Sequence, residues 1–217
     1  DIPIHEPPYQ AAIHGLVRAI PEQVSLFIPQ DISNSLNALS KWPISIQETP
    51  YKEAICHLTA IIPEKIAKFH AREIANALNA LSKWPISIHE PPYQAAIQAL
   101  VRTIPEQASL FIPQGINNSL NALSKWPISV HETPYQEAIH SLMATILKQV
   151  NTFSMRDIAG MLNALSKWPI STHASPYQET IQALVRAIPQ QVKLFTAQNI
   201  SNSLNALAKW VALFKKI

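Results

Sequence analysis

The sequence predicts an all-α protein, specifically a right-handed α-solenoid of five helical units of 42 residues each. Three observations lead to this prediction. The aromatic residues recur at an interval of 42. Between them the apolar residues are spaced three and four apart, as on a helix that buries one face. Only 3 glycines occur in 217 residues, which is too few for the tight turns of a sheet protein.

The repeat is visible in three aromatic columns, and only Phe214 lies outside them. The columns hold tryptophan at 42, 84, 126, 168 and 210, tyrosine at 9, 51, 93, 135 and 177, and phenylalanine at 27, 69, 111, 153 and 195. The chain is therefore predicted to be a single array, without a second domain, of units at about 8–49, 50–91, 92–133, 134–175 and 176–217. This length suits paired or tripled helices of the HEAT or armadillo kind. A propeller blade would need turn glycines and alternating strands.

The first helix of each unit carries one apolar stripe, which in the first unit runs from Tyr9 to Phe27. Pro21 lies within this stripe, where a proline removes one backbone hydrogen bond. We therefore expect either a kinked helix or two abutting helices. Leu147 holds the same position in the fourth unit, which indicates that the position tolerates helix.

The second helix is predicted from about Pro29 to Lys41, and Pro43 ends it because the residue before a proline avoids helical backbone angles. Its core-facing positions in the first unit are Ile32, Ser35, Leu36, Leu39 and Trp42. An extended segment is expected at 44–48. Thr196, Ser154 and their column suit the N-cap of this helix. In the last unit Val211 replaces the proline, so we expect that helix to continue toward the end of the chain.

A longer period of two units lies over the 42-residue repeat. Units one, three and five share Leu-Val-Arg, at Arg18, Arg102 and Arg186, where the even units differ. The column at position 30 alternates between glutamine and arginine. This pattern indicates either duplication of a two-unit block or a ligand that contacts alternate units.

The second helix predicts a candidate ligand groove on the side opposite its core face, because positions 30, 34, 37 and 41 are spaced four, three and four apart. Stacked units turn each position into a row of amide or cationic side chains, and the asparagine row at position 34 is broken by Gly160. The candidate residues are Gln30, Asn34, Asn37, Lys41, Arg72, Asn76, Asn79, Lys83, Gln114, Asn118, Asn121, Lys125, Arg156, Asn163, Lys167, Gln198, Asn202, Asn205 and Lys209.

These rows have two interpretations. Amides can hold an extended peptide backbone or the bases of a single strand, and the cations favour an anionic ligand. Alternatively, the asparagines bond the backbone of a neighbouring unit, and the lysines are cations near a helix C-terminus, where they are mildly favourable. The tryptophans could stack on bases, but their place on the core face favours buried lids between units.

No enzyme, cofactor or metal is predicted. The histidines at 5, 89, 131 and 173 share one column, but one repeat step is too long for a shared zinc ion, so we expect solvated loop histidines. The single Cys56 excludes a disulfide framework and is expected to be partly exposed. The net charge is only +3, and no apolar run approaches the ~20 residues of a membrane span. Without a signal peptide or an initial methionine, the chain is interpreted as processed or as a fragment.

The stretch Leu-Asn-Ala-Leu-Ser-Lys-Trp-Pro stands at 36–43, 78–85, 120–127 and 162–169. It resembles the SKWP repeat of a family of bacterial type III effectors of plant pathogens, and the resemblance covers essentially the whole chain. It implies HEAT/armadillo-like solenoids, delivery into plant cells and a longer parent protein. The last unit departs from the motif, with Leu-Asn-Ala-Leu-Ala-Lys-Trp-Val at 204–211.

The second helix also resembles the octotricopeptide repeats of organelle RNA-binding proteins, through Pro-Gln-x-Ile-x-Asn-x-Leu-x-Ala-Leu-x-Lys at 29–41 and 113–125. That resemblance implies binding of single-stranded RNA, one base per unit. Two functions therefore stay open from sequence. One is a monomeric, non-enzymatic scaffold that engages a host protein or an extended peptide along the groove. No membrane is predicted as a partner. The other is a single-stranded RNA-binding array. A purely structural spacer is the third alternative.

Overall fold

The computed structural model describes residues 6–42, 48–85, 87–129, 132–168 and 175–214, with side chains up to Trp210. Within these ranges the regular structure is helical and no strand occurs, which confirms the predicted all-α class. The segment predicted as extended at 44–48 lies outside the described residues except for Glu48. None of the described helices is both long and apolar enough to cross a bilayer.

Each 42-residue interval contains a first helix, a short 3-10 turn and a second helix. The elements are α1 (Pro7–Gln23), Val24–Leu26 and α2 (Pro29–Leu39); α3 (Tyr51–Ala60), α4 (Ile62–Lys65), Ile66–Lys68 and α5 (Ala71–Leu81); α6 (Tyr93–Gln107), Ala108–Leu110 and α7 (Pro113–Leu123); α8 (Tyr135–Gln149), Val150–Thr152 and α9 (Met155–Leu165); and α10 (Tyr177–Gln191), Val192–Leu194 and α11 (Ala197–Phe214).

The internal proline of the first helix is accommodated in two ways, and the second is the predicted pair of abutting helices. Pro21, Pro105 and Pro189 lie inside the continuous helices α1, α6 and α10. In the second interval the helix is interrupted at Ile61, and Pro63 lies in the first turn of α4, where its missing N–H group leaves no hydrogen bond unmade. The apolar stripe keeps its phase in both cases, so the same face remains buried.

The second helices end two residues earlier than predicted. The helix α2 ends at Leu39, and the backbone N–H of Ser40 donates to the oxygen of Leu36 at 2.9 Å. Lys41 and Trp42 follow in a turn, and α5, α7 and α9 end in the same way. Only α11 continues past its tryptophan, to Phe214, as predicted from the missing proline.

The predicted N-cap is confirmed at Ser154. Its hydroxyl oxygen accepts the backbone N–H of Asp157 at 3.3 Å, and the Asp157 carboxylate accepts the backbone N–H of Ser154 at 3.2 Å. This reciprocal capping box satisfies donors that the first turn of a helix leaves free.

Equivalent helices of consecutive intervals pack against each other. Among the second helices, α2 contacts α5, α5 contacts α7, α7 contacts α9 and α9 contacts α11. Among the first helices, α1 contacts α3, α3 contacts α6, α6 contacts α8 and α8 contacts α10. The helices thus form two layers, and the core lies between them.

The core is built from the same columns in every interval. Phe69, Phe111 and Phe153 anchor the 3-10 turns and are fully buried. Trp126, Trp168 and Trp210 are buried, and Trp42 and Trp84 are half-buried against the core, which confirms their predicted place on the core face.

The two ends of the array differ from the predicted stripes. Leu16, placed in the core from sequence, is 70% exposed, whereas its equivalent Leu58 is fully buried. At the other end Leu204 is 62% exposed, whereas Leu36 is fully buried. Their equivalents in other units face a neighbouring unit on this side, and among the described residues no helix packs on that side of α1 or α11.

We expect Trp126→Ala to lower the free energy of unfolding by about 3–5 kcal/mol, because it removes a buried aromatic side chain that has units on both sides. Chemical denaturation followed by circular dichroism measures this change. The control is Trp42→Ala in the same column, which should cost less because Trp42 is only half-buried. Equal losses would contradict the assigned burial.

Candidate binding site

The predicted groove residues share one surface of the second helices. The rows at positions 30 and 41 are exposed in every unit, and the asparagines at 34 and 37 are exposed or half-buried. We call this surface, formed by the candidate residues at positions 30, 34, 37 and 41 of each unit, the groove face. It is accessible along α2, α5, α7, α9 and α11.

The lysines of the groove face connect consecutive units. The ammonium group of Lys83 donates to the hydroxyl of Ser40 at 3.3 Å, and that hydroxyl donates to the backbone oxygen of Asn37 at 2.8 Å. Lys125 donates to Ser82 at 3.5 Å in the same way. Because the helices end early, Lys41, Lys83, Lys125 and Lys167 lie in turns and not on the helices as predicted, and only Lys209 is helical.

The ammonium groups of neighbouring lysines in the row repel one another. Partial burial lowers the pKa of Lys83, and the positive charges of Lys41 and Lys125 lower it further. The pKa of Lys167 is lowered by burial and then by Lys125 and Lys209. Like charges disfavour the protonated form of each neighbour. No carboxylate among the described residues offsets these two shifts, so an anionic ligand would relieve repulsion along the row.

The asparagine side chains that the structure describes do not form the hydrogen bonds to the backbone of a neighbouring unit that the second interpretation predicted. In the described ranges the only side-chain hydrogen bond from this row to another unit is at Asn121, whose Oδ1 accepts from Lys167 at 3.1 Å. The bonds to neighbouring backbone come from the first-helix side instead. Lys65 donates to the oxygen of Ser25 at 2.7 Å, and Gln107 donates to the oxygen of Phe69 at 2.6 Å.

The break in the amide row at Gly160 is filled from the neighbouring helix. A Cβ atom at position 160 would lie 2.5 Å from the amide of Asn117, so the amide occupies the space that a side chain there would need. Sequence analysis missed Asn117. The signal was present, because this column holds serine or alanine in the other units and its only asparagine faces the only glycine of the next column.

Around this exchange the groove face deepens into a polar depression of about 510 Å³ between α7, α9 and α11. Its lining residues are Asn117, Arg156, Gly160, Thr196, Gln198, Asn199 and Asn202. Amides offer donors and acceptors together, and the guanidinium group adds a planar set of donors. This lining can bind a small planar polar group or an anion.

The remaining chemistry-bearing residues do not converge on a site. Within the described ranges no three histidine, cysteine or acidic side chains are arranged to hold a metal ion. His89 is exposed, and His5, His131 and His173 lie outside the described residues. Cys56 is half-buried and has its sulfur 3.6 Å from the Tyr93 hydroxyl, in a contact between units.

We expect Lys125→Met to raise the pKa of both Lys83 and Lys167, because it removes a positive charge that opposes their protonation. Each pKa should remain below its ordinary value, since burial is the larger cause. Side-chain NMR titration of the lysine Cε and Nζ signals measures the change. Lys52→Met, an exposed lysine outside the row, is the control. An unchanged pKa in both residues would show that the row is not coupled.

A comparison of the chain with protein-family models and with curated proteins finds no match to either.

Proposed function

We propose that the chain is a non-enzymatic binding scaffold, a right-handed, HEAT/armadillo-like solenoid of five units that engages an acidic, extended segment of a host protein along the groove face. The segment would lie across the second helices and contact one lysine and one or two amides per unit.

The lysine row carries this proposal. Five exposed lysines recur at one position of every unit, and the pKa of two of them is lowered first by partial burial and then by the charges of their neighbours. The repulsion between these lysines opposes folding even though each of three also bonds the unit before it, whereas an acidic ligand would gain one ion pair per unit. The half-buried asparagines beside the row offer donors and acceptors for the ligand backbone.

The resemblance to the SKWP repeat supports the setting of this proposal. It implies that the chain is the repeat region of a type III secreted effector, delivered into a plant cell, so that the ligand is a host protein. The low net charge of +3 favours a protein ligand over nucleic acid, because nucleic-acid binding draws on a strongly basic field.

A photo-crosslinking residue at Asn79, on the groove face, should capture a discrete host protein from plant extract. The matched control carries the crosslinker at Glu53, which is exposed on the first helix of the same unit. Capture should persist after ribonuclease treatment. It should be lost when Lys83, Lys125 and Lys167 are changed together to glutamine, a change that should leave the helical signal intact because all three are exposed.

Capture that is equal at the two positions would contradict the groove. Capture that ribonuclease abolishes would replace the protein ligand by RNA.

Single-stranded RNA is the second candidate ligand, and the depression at Arg156 favours it. Asparagine and glutamine amides pair with the edges of adenine, and arginine contacts phosphate or guanine. The weaker octotricopeptide resemblance implies the same ligand. In this alternative the lysine row contacts phosphates, and the depression contacts a base.

If RNA binds, the log–log dependence of affinity on salt should have a slope of about −0.7 for each phosphate contacted. Asn117→Ser combined with Gly160→Asn should lower RNA affinity without changing that slope, because the lysines are untouched. The double change copies the pair Ser33 and Asn76, so the fold tolerates it. Fluorescence anisotropy with labelled RNA measures both quantities, and an altered slope would contradict a base contact at the depression.

A further inference from the structure

The exposed apolar side chains of this protein are not scattered. Two groups lie at the ends of the array, on α1 and α11. The remaining large exposed ones lie on the 3-10 turns of the first, third and fifth units and on the residue that precedes the second helix. They are Leu26, Ile28, Leu110, Ile112, Val192 and Leu194. We call the surface formed by positions 26 and 28 of each unit the turn edge; Val192, at position 24 of the fifth unit, lies beside it.

The backbone forces these positions outward. The residue between them is the phenylalanine of the core column, which has extended backbone angles, such as φ −71° and ψ 124° at Phe111. In an extended segment successive side chains point to opposite sides. Because Phe111 points into the core, Leu110 and Ile112 point to solvent.

The even units show that the fold does not need apolar residues there. The second unit places Lys68 and His70 at the two positions, and both are exposed on an equivalent turn. The fourth unit places Thr152 and Ser154 there. Equivalent turns therefore form without leucine and isoleucine at these positions, and a group of exposed apolar side chains on one edge marks a candidate site of interaction.

Cations lie between the apolar pairs. Lys68 and Arg72 separate the first pair from the second, and Arg156 separates the second pair from Leu194. The nearest carboxylates are turned back on their own helices. Glu73 accepts the backbone N–H of His70 at 3.2 Å, and Asp157 accepts that of Ser154. At a helix N-terminus such carboxylates are offset by the helix dipole, so the exposed charge of the even units is positive.

The edge is also held rigidly. The carbonyl groups of the turns accept hydrogen bonds from the next unit, from Lys65 to Ser25 at 2.7 Å and from Thr145 to Ala108 at 3.2 Å. The spacing of apolar and cationic positions is therefore fixed by the step between packed helices, about 8–10 Å.

We propose that the turn edge binds an extended, polyproline-type segment of a partner protein with apolar and acidic side chains alternating at every third residue. A polyproline helix repeats every three residues at about 3.1 Å each, which gives about 9 Å per turn and matches the step between units. Apolar side chains would contact the odd units and carboxylates the even units. Arg72 and Arg156 also belong to the groove face, but no lysine of position 41 lies on the turn edge, so the inference does not rest on the lysine row that carries the proposed function.

The probe is a labelled peptide, Leu-Pro-Pro-Glu-Pro-Pro-Leu-Pro-Pro-Glu-Pro-Pro-Leu. One comparison peptide replaces glutamate by lysine, and another places the same side chains at every second residue. Fluorescence anisotropy should show that the matched peptide binds at least about tenfold more tightly than either comparison peptide. The lysine peptide loses the charged contacts, and the peptide with the shorter spacing loses the match of its side chains to the units. Equal binding of the three peptides would overturn the proposal.

The unit-exchange variants test the surface. Leu110→Thr combined with Ile112→Ser gives the third unit the residues of the fourth, so the turn should fold normally. It should weaken binding of the matched peptide by at least about tenfold. Leu16→Thr, an exposed leucine elsewhere, should leave binding unchanged.

Two further outcomes would overturn the proposal. If the glutamine variant of Lys83, Lys125 and Lys167 abolishes peptide binding, the peptide occupies the groove face. If ultracentrifugation finds that the unmodified chain self-associates, and that Leu110→Thr with Ile112→Ser abolishes the self-association, the turn edge is a contact between copies of this chain.

Discussion

No unit of this protein can bury its apolar face alone, and the rest of the structure depends on the stacking that satisfies it. Leu58 is fully buried because α3 has a first helix on each side, whereas Leu16, in the same column, is mostly exposed because among the described residues α1 has a first helix on one side only. The hydrophobic contribution to stability therefore comes from apolar area buried between consecutive units, which is how repeat proteins are stabilised. Among the described residues, three of the four joints are reinforced by a side chain of one unit that donates to the turn of the unit before it.

Stacking of similar units turns every surface position into a row with a fixed step. A residue type that occupies one position of the unit recurs in every unit, so a single lysine position becomes a line of mutually repelling cations. Such repulsion opposes folding slightly, and the fold tolerates it because the lysines lie at the surface. A protein that keeps one cation at every step presents a surface on which a ligand with a matching step gains one favourable contact per unit.

The departures from the repeat carry different information from the repeat itself. At Gly160 the amide row is kept by a residue of the neighbouring helix, which moves one amide and opens a depression beside Arg156. On the turn edge the odd and even units differ although their backbones are equivalent. The turn edge lies at the N-terminal end of the second helices, and the lysine row lies just beyond their C-terminal end, about 16 Å away for eleven helical residues. A ligand on the turn edge can therefore bind without contacting the lysine row.

The sequence by itself determined the helices and the faces that they bury. The aromatic columns and the three–four spacing of apolar residues report the helical period directly, and Pro29, Pro63 and Pro113 lie in the first turns of α2, α4 and α7. The N-cap at Ser154 and the continuation of α11 past Trp210 were predicted correctly, because capping and helix termination depend on residues close in sequence. The candidate site was predicted as a set of rows for the same reason.

Tertiary structure alone decided what lies across a joint. Three features depend on residues about one unit apart or on the absence of a described neighbour. Lys83 contacts Ser40, the amide of Asn117 replaces the side chain missing at Gly160, and Leu16 is exposed. Periodicity assigns a residue to a face of its own helix. Periodicity does not report the distance to the next helix, because that distance is set by how the side chains of two units pack. The contacts between units therefore appear only in the folded chain.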